Sequence, residues 1–297
     1  MKRIRIPGLV DIVSSDDATE IESLAQNANL DRAYADRSLI VNGQIIKRVR
    51  DALQIGGCPF PTVSPKGAEG RAEAQQALWS RLTTLAPTYA QGTDELNNLA
   101  SFVRGEGPAD ACGLLVQQVV GRLFVPTFTA TQASWDAALV LNQAPRTMNP
   151  ALLLWWSLTK RVDKAKQQLS AMVAGDLAAV HAIGVALHNI VSGVLLMRQL
   201  YSDANGRAAL SPESAGSRCL FAPQTVIRQP VTPVDSAEGR LESQTLVILK
   251  LQAATEKQAN RDVSFLSQTW SRCPAEQWVP ALLEGIWRRA CQPSSQS

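Results

Sequence analysis

One stretch near the middle of the chain limits every fold it can adopt. From Asp176 to Asp203 the sequence runs DLAAVHAIGVALHNIVSGVLLMRQLYSD. Read as a helix, it is apolar nearly all round, and a helix without a polar face has to be wrapped by other elements. Asp176 suits the N-cap, with the end expected near Tyr201. The segment approaches the length of a membrane span. Two histidines and an asparagine inside it, and no comparable second segment, favour the buried central helix of a packed core instead.

The rest of the chain supplies the wrapping. Ser15-Asp16-Asp17 caps a helix reaching about Gln26, and further helices are expected over residues 39–54, 71–85, 92–104, 112–125, 131–142 and 152–173. Residues 56–70 hold three prolines and four glycines and read as a loop. Residues 4–13 look extended about a Pro7-Gly8 turn. Beyond Leu210 the texture changes to a short helix over 211–221, an extended segment over 225–229, and GRLESQTLVILKLQ over 239–252, which has the look of a strand or hairpin. The expected fold is therefore mainly α. It is a single domain over residues 1–297, with a small β portion near the C-terminus and a frayed polar tail over 292–297.

Composition removes several classes of function. At 45% hydrophobic the chain is too apolar for disorder. Its net charge of +3 is spread along the sequence, apart from Lys2–Arg5 and residues 160–166, so no nucleic-acid footprint is visible. Five cysteines (58, 112, 219, 273, 291) without C-x-x-C spacing suggest neither a zinc site nor a disulfide framework. The opening MKRIRIPGLVDIV lacks the apolar run of a secretory signal, and a cytoplasmic location is expected.

Two places could carry chemistry. His181 and His188, the only histidines, stand seven residues apart on the central helix with Gly184 between them. In a regular helix that spacing puts them on one face, roughly 10 Å apart. Glycine there lets a flat ligand approach the backbone, and an imidazole can exchange protons. Two core histidines bonded to carbonyls, with the glycine serving helix packing, is the other reading. The second place is RDVSFLSQTWSRCPAEQWVPALLEGIWRR, residues 261–289. Cys273 precedes Pro274 at the expected start of a helix whose apolar face includes Trp278, Leu282, Leu283, Ile286 and Trp287. A thiolate is stabilised at such a terminus and can ligate a metal or act as nucleophile. Pro280 should kink that helix, and a buried structural cysteine is the alternative.

The order of these features resembles the haem-thiolate monooxygenases, the cytochrome P-450 superfamily, in a shortened form. Cys273 corresponds to the axial cysteine of the F-x-x-G-x-[RH]-x-C-x-G signature, and Arg218 to the arginine of E-x-x-R. Arg228, five residues after Pro223, corresponds to an arginine that binds a haem propionate; Arg71 corresponds to a second such contact. Gln244-Thr245-Leu246-Val247 is similar to G-T-x-V, and Ala253-Ala254 with Arg261-Asp262 to A-x-x-R-D. The sequence departs from the pattern at Thr269, Ser271 and Ala275, which replace a glycine, a basic residue and a glycine. Ala215 replaces the glutamate of E-x-x-R, Phe265 lies one position too far from Cys273, and the central helix lacks an acid–alcohol pair.

The resemblance implies haem b, with Cys273 as the iron ligand and Arg71, Gly184 and Arg228 as cofactor-binding residues. It implies a place for the haem between the central helix and the loop before Cys273. Without the acid–alcohol pair, His181 and His188 become the candidate catalytic residues of a haem-thiolate oxidoreductase with altered chemistry. Such an enzyme would use peroxide or an already activated substrate, act on a small metabolite, and have a redox protein or partner enzyme as its companion. The alternative is a haem-less, inactive relative serving as a helical partner or scaffold. A helical ligand-binding protein with tryptophans lining its pocket is a third reading.

Overall fold

Residues from both ends of the chain build one sheet. The computed structural model describes all residues except 36–37, 92, 148, 204–208 and 293–297, and all side chains of the rest but 86 and 89–91. Most of the tail expected to fray thus lies outside the described residues. Contacts gather the chain into two compact units. The first comprises residues 1–75, 143–153 and 222–273, and the second residues 76–142, 154–221 and 274–297.

In the first unit, β1 (Lys2–Ile6) and β2 (Val10–Ser15) form an antiparallel hairpin turning at Pro7-Gly8, where Gly8 adopts φ 75°. Then come β3 (Leu30–Asp31), the small hairpin β4 (Gln54–Ile55) and β5 (Cys58–Pro59), β6 (Val226–Pro230) and β7 (Leu246–Leu249). The five-stranded sheet has the order β1-β2-β7-β6-β3. β2 and β7 run parallel, from Ile12 opposite Leu246 to Ser15 opposite Leu249. The sheet is thus not confined to the C-terminal part. Leu246, Val247 and Leu249 are buried, so β7 needs a neighbour on each side, and the N-terminal hairpin supplies one. The edge strand β1 carries Lys2, Arg3 and Arg5, charges that discourage pairing with another chain.

Polar groups lock this sheet to its surroundings. Arg3 grips buried Asp11 through Nε and Nη2, both at 2.9 Å, and Thr245 Oγ1 donates to the same carboxylate at 2.7 Å. Burial alone would raise the Asp11 pKa, but the bonds from Arg3 and Thr245 bring it below its usual range. Asn42 Nδ2 donates to the carbonyls of Asp11 and Gln244 and anchors helix Ile40–Ala52. Asp17 caps Ala18–Gln26 as expected, its side chain accepting from the Glu20 N–H at 2.9 Å. That helix packs Ile21 and Leu24 against Val13, Val247, Leu249, Leu251 and Val263.

The second unit is helical, and the apolar stretch forms its centre. The helix Leu177–Ser202 is, by length and composition, the one described helix able to cross a membrane. No residue from Leu177 to Arg198 is exposed. Helices Asp94–Val103, Cys112–Phe124 and Val279–Cys291 pack against it. They bury Leu96, Leu99, Val116, Val120, Leu283, Ile286 and Trp287 together with its Leu187, Val194 and Met197. A Cβ on Gly193 would lie 2.3 Å from the Cys219 carbonyl oxygen, so only glycine permits that approach.

Three sequence expectations change here. Residues 152–173 form two helices, Pro150–Thr159 and Arg161–Met172, broken at Lys160 with φ 49°. The second buries Ala165, Lys166 and Leu169, whereas the first turns most of its apolar residues outward, so one continuous helix cannot present both faces. The helix expected to stop at residue 85 runs on as Arg71–Gln91, with Pro87 inside it. Finally, Pro274 opens a short 3-10 turn, and the terminal helix begins only at Val279. Pro280 therefore falls in the first turn, where a missing N–H costs nothing, and produces no kink.

Candidate functional site

In the first unit the loop before Cys273 is shaped by its own backbone. Asn260 caps helix Arg261–Phe265 by accepting from the Val263 N–H at 3.1 Å, and Leu266 in the left-handed region ends it. Thr269 Oγ1 donates to the Leu266 carbonyl at 2.8 Å and accepts from the Ser271 N–H at 3.2 Å. The Cys273 N–H then closes the loop onto the Phe265 carbonyl at 2.7 Å. The two residues sit eight apart, and that bond joins them directly. Cys273 itself is half-buried.

This loop delivers the Trp270 ring into a group of arginines. Arg71, Arg228 and Arg32 place their guanidinium carbons 4.7, 5.0 and 5.5 Å from its centroid. Arg228 comes from β6 and is wholly buried; Arg71 opens its helix; Arg32 follows β3 directly. Arg228 Nη2 donates to Ser271 Oγ, Arg71 Nη2 to the Trp270 carbonyl at 3.3 Å, and Arg32 Nη1 to the Thr62 carbonyl. The nearby acid is Asp31, whose Oδ1 already accepts from the backbone N–H groups of Arg32 and Lys66.

The electrostatics are strained. Burial, and then the neighbouring Arg32, push the Arg228 pKa well below its ordinary value. Burial likewise brings Arg32 down to about 10 and lowers Arg71. Cys273 acts on Arg32 in the opposite sense, which places the sulfur within the electrostatic reach of the cluster. Burial raises the Tyr34 pKa while Arg32 and Arg228 hold it down. Arg71 Nε, Arg228 Nε, Trp270 Nε1 and Gln229 Nε2 are buried with no partner among the described residues. Buried donors and cations are expensive unless satisfied. An arrangement of three guanidiniums around an indole, two of them with a spare N–H, suits a ligand that brings two anionic groups beside a flat apolar body.

Of the residues singled out from the sequence, Arg71, Arg228 and Cys273 are thus gathered in the first unit. Arg32, Trp270, Tyr34 and Ser271 were not foreseen as part of such a site. Arg32 sits in the unpatterned DRAYADR, and Trp270 reads equally well as core. The one signal available for Trp270 was its place three residues before the cysteine. Arg218 is exposed at the end of helix Pro212–Arg218.

His181, Gly184 and His188 lie in the second unit, on the central helix. Residues 182–186 form a π-helical turn between the two histidines. The extra residue in that turn takes the seven-residue spacing off the two-turn repeat, so the histidines do not share the face expected of a regular helix. The cause is local. Buried Gln117 Nε2 donates to the Ile183 carbonyl at 3.0 Å and to the Ser134 carbonyl at 3.1 Å, while Ser134 Oγ donates to Gln117 Oε1 at 2.6 Å. A side chain inserted into the backbone ladder is a recognised origin of such distortions. His188 Nε2 lies 3.1 Å from the Ala138 carbonyl oxygen, and its ring tilts against Trp135 at 5.2 Å. A Cβ on Gly184 would meet Leu141 and Leu169 at 2.9 Å, so that side of the glycine serves helix packing. His181 is half-buried at the entry to the π turn.

No family model matches the chain, and no curated protein matches it. Solved structures do. CYP175A1 from one strain of Thermus thermophilus superposes with a TM-score of 0.62 over 97% of this chain and 83% of that one, at 16% identity. A six-coordinated cytochrome P450 from another strain of Thermus thermophilus gives 0.64 over 97% and 85%, also at 16% identity. P450BioI in complex with an acyl carrier protein ligated to hexadec-9Z-enoic acid gives 0.58 over 93% and 83%, at 14% identity. The fold is that of the cytochromes P450. At these identities the likeness is one of fold. Around Cys273 the chain has a closed loop and, within electrostatic reach, a cationic cluster.

Proposed function

We propose that this protein is a haem-thiolate oxidoreductase of altered chemistry acting on a small apolar or mixed metabolite. The observation that carries the reading is the buried Arg32–Arg71–Arg228 cluster around Trp270, whose spare donors ask for a doubly anionic ligand. Haem b fits that demand, with two carboxylates on one edge of a flat apolar ring. Arg32, Arg71 and Arg228 would hold the propionates, and Cys273 would be the axial ligand. When bound, thiolate-ligated iron supplies the means to cleave an O–O bond.

The chain's own residues suggest how the chemistry differs. No acid–alcohol pair occupies the central helix at Gly184, so delivery of protons to dioxygen has no obvious carrier. We assign proton transfer to His181, at the start of the π turn, a kind of distortion frequently found at functional sites. His188, bonded to the Ala138 carbonyl, orients the helix. An oxidant such as peroxide, or a substrate already activated, suits a site of this kind. The expected cytoplasmic location and a redox or partner protein belong to the same reading. The unsatisfied donors speak against a haem-less scaffold, which would have no reason to keep three cations buried.

The test is an absorption spectrum of protein expressed with haem supply, oxidised and then reduced under carbon monoxide, beside Cys273→Ala. The expected result is a thiolate-type Soret shift that the variant loses. A colourless protein that refuses haemin, or a variant with the wild-type spectrum, would overturn the assignment.

A further inference from the structure

Helix Pro150–Thr159 is built the wrong way out for a core element. Ala151, Leu154, Trp155 and Leu158 fall at i, i+3, i+4 and i+7, which is the spacing of one apolar stripe. All four are exposed: Leu154 and Trp155 by 61% and Leu158 by 74%. In this helix only Trp156 is buried. Isolated exposed leucines need no explanation, but a continuous stripe centred on a tryptophan marks a surface that meets something apolar.

The sequence that follows says what. The chain breaks at Lys160 and continues through residues 160–166, KRVDKAK, with four cations to one acid. Lys160, Arg161 and Lys164 are exposed, while Asp163 is engaged by Lys166 at 3.0 Å. A short apolar stripe with an interfacial tryptophan, followed at once by a basic turn, has the chemistry of an element that lies on an anionic bilayer. It is too short to do more. Ten residues make a helix about 15 Å long, half of the ~30 Å hydrocarbon core. A second copy of the chain would bring the same cations to the contact and offers no complementary charge.

We infer that helix Pro150–Thr159 docks on the surface of anionic membranes, inserting Leu154, Trp155 and Leu158 to headgroup depth while Lys160, Arg161 and Lys164 meet lipid phosphates. This surface is independent of any haem. The experiment is co-sedimentation of the full chain with vesicles of phosphatidylcholine alone and of phosphatidylcholine mixed with phosphatidylglycerol. Binding to the mixed vesicles and not to the neutral ones is expected. Trp155→Ser with Leu158→Ser should abolish it, and Lys160→Glu with Arg161→Glu should weaken it by about tenfold or more, as should high salt. Both pairs are exposed, and an unchanged circular dichroism spectrum would verify that each variant folds. No vesicle binding, or equal binding by wild type and both variants, overturns the inference. So does a dimer of the wild type that the serine variant dissolves, since the stripe would then belong to a second copy.

Discussion

The two units bury polar groups in opposite ways. In the helical unit, Gln117 is completely buried and its amide is fully employed, donating to Ser134 and Ile183 and accepting from Ser134. His188 next to it has its carbonyl. Orphan atoms in that unit are scattered, at Asn142 Oδ1 and Arg198 Nη1. In the sheet-bearing unit, Ser38 Oγ, Ser267 Oγ and Gln229 Nε2 are also unpartnered, but three orphaned donors belong to one group: Arg71 Nε, Arg228 Nε and the Trp270 Nε1 between them. A network that closes on itself holds a fold together, and one left open is waiting for a partner. The buried cation cluster, rather than the histidine pair, is the more informative feature of this molecule.

The largest effect that could break this contrast is expected at Arg228. Arg228→Met should weaken haemin binding by about 3 kcal/mol, roughly 100-fold, while raising the melting temperature of the haem-free protein. A spectral titration and a thermal melt read the two numbers. If both fall together, Arg228 is simply structural and the cluster is not open. The opposite is expected at Gln117. Gln117→Leu removes the side-chain bonds to the Ile183 and Ser134 carbonyls and from the Ser134 hydroxyl, and should cost about 2 kcal/mol of stability in urea unfolding, with haemin affinity unchanged.

The smallest effect is a pH dependence. Burial depresses the folded Arg32 pKa to about 10, below its ordinary value, so the unfolded chain holds that proton more tightly. The destabilisation is therefore fully present below about pH 10 and is relieved as pH rises from there toward the ordinary arginine value. The stability advantage of Arg32→Met over wild type, measured without haem, should be constant at neutral pH and shrink above about pH 10. An advantage that does not shrink would mean that the charge is compensated in the folded protein.

Much of the frame was legible because it rests on local rules. The Asp17 cap, the Pro7-Gly8 turn and the buried central helix each depend on a few neighbouring residues whose chemistry has one cheap solution, whereas the helix start expected at Cys273 falls at Val279 instead. The P450 likeness could be read from order and spacing even with the signature glycines replaced. Phe265, one position too far from Cys273 by the motif, is still the residue whose carbonyl receives the cysteine N–H.

What the sequence could not contain is pairing over distance. Nothing in Leu30-Asp31-Arg32 announces that Arg32 will meet Trp270, because the meeting requires β3 to lie beside β6 and β6 beside β7. The N-terminal hairpin completes the C-terminal strands for the same reason, as a buried strand takes whichever edge the fold brings to it. The π turn in the central helix depends on Gln117, a residue 66 positions away from the carbonyl it holds. The outward stripe of Pro150–Thr159 depends on which face the packing uses. Each segment's own side chains set what it is able to do, through their shape, charge and spacing. Tertiary structure decides which of those abilities is used, because burial and hydrogen-bond satisfaction are properties of neighbours.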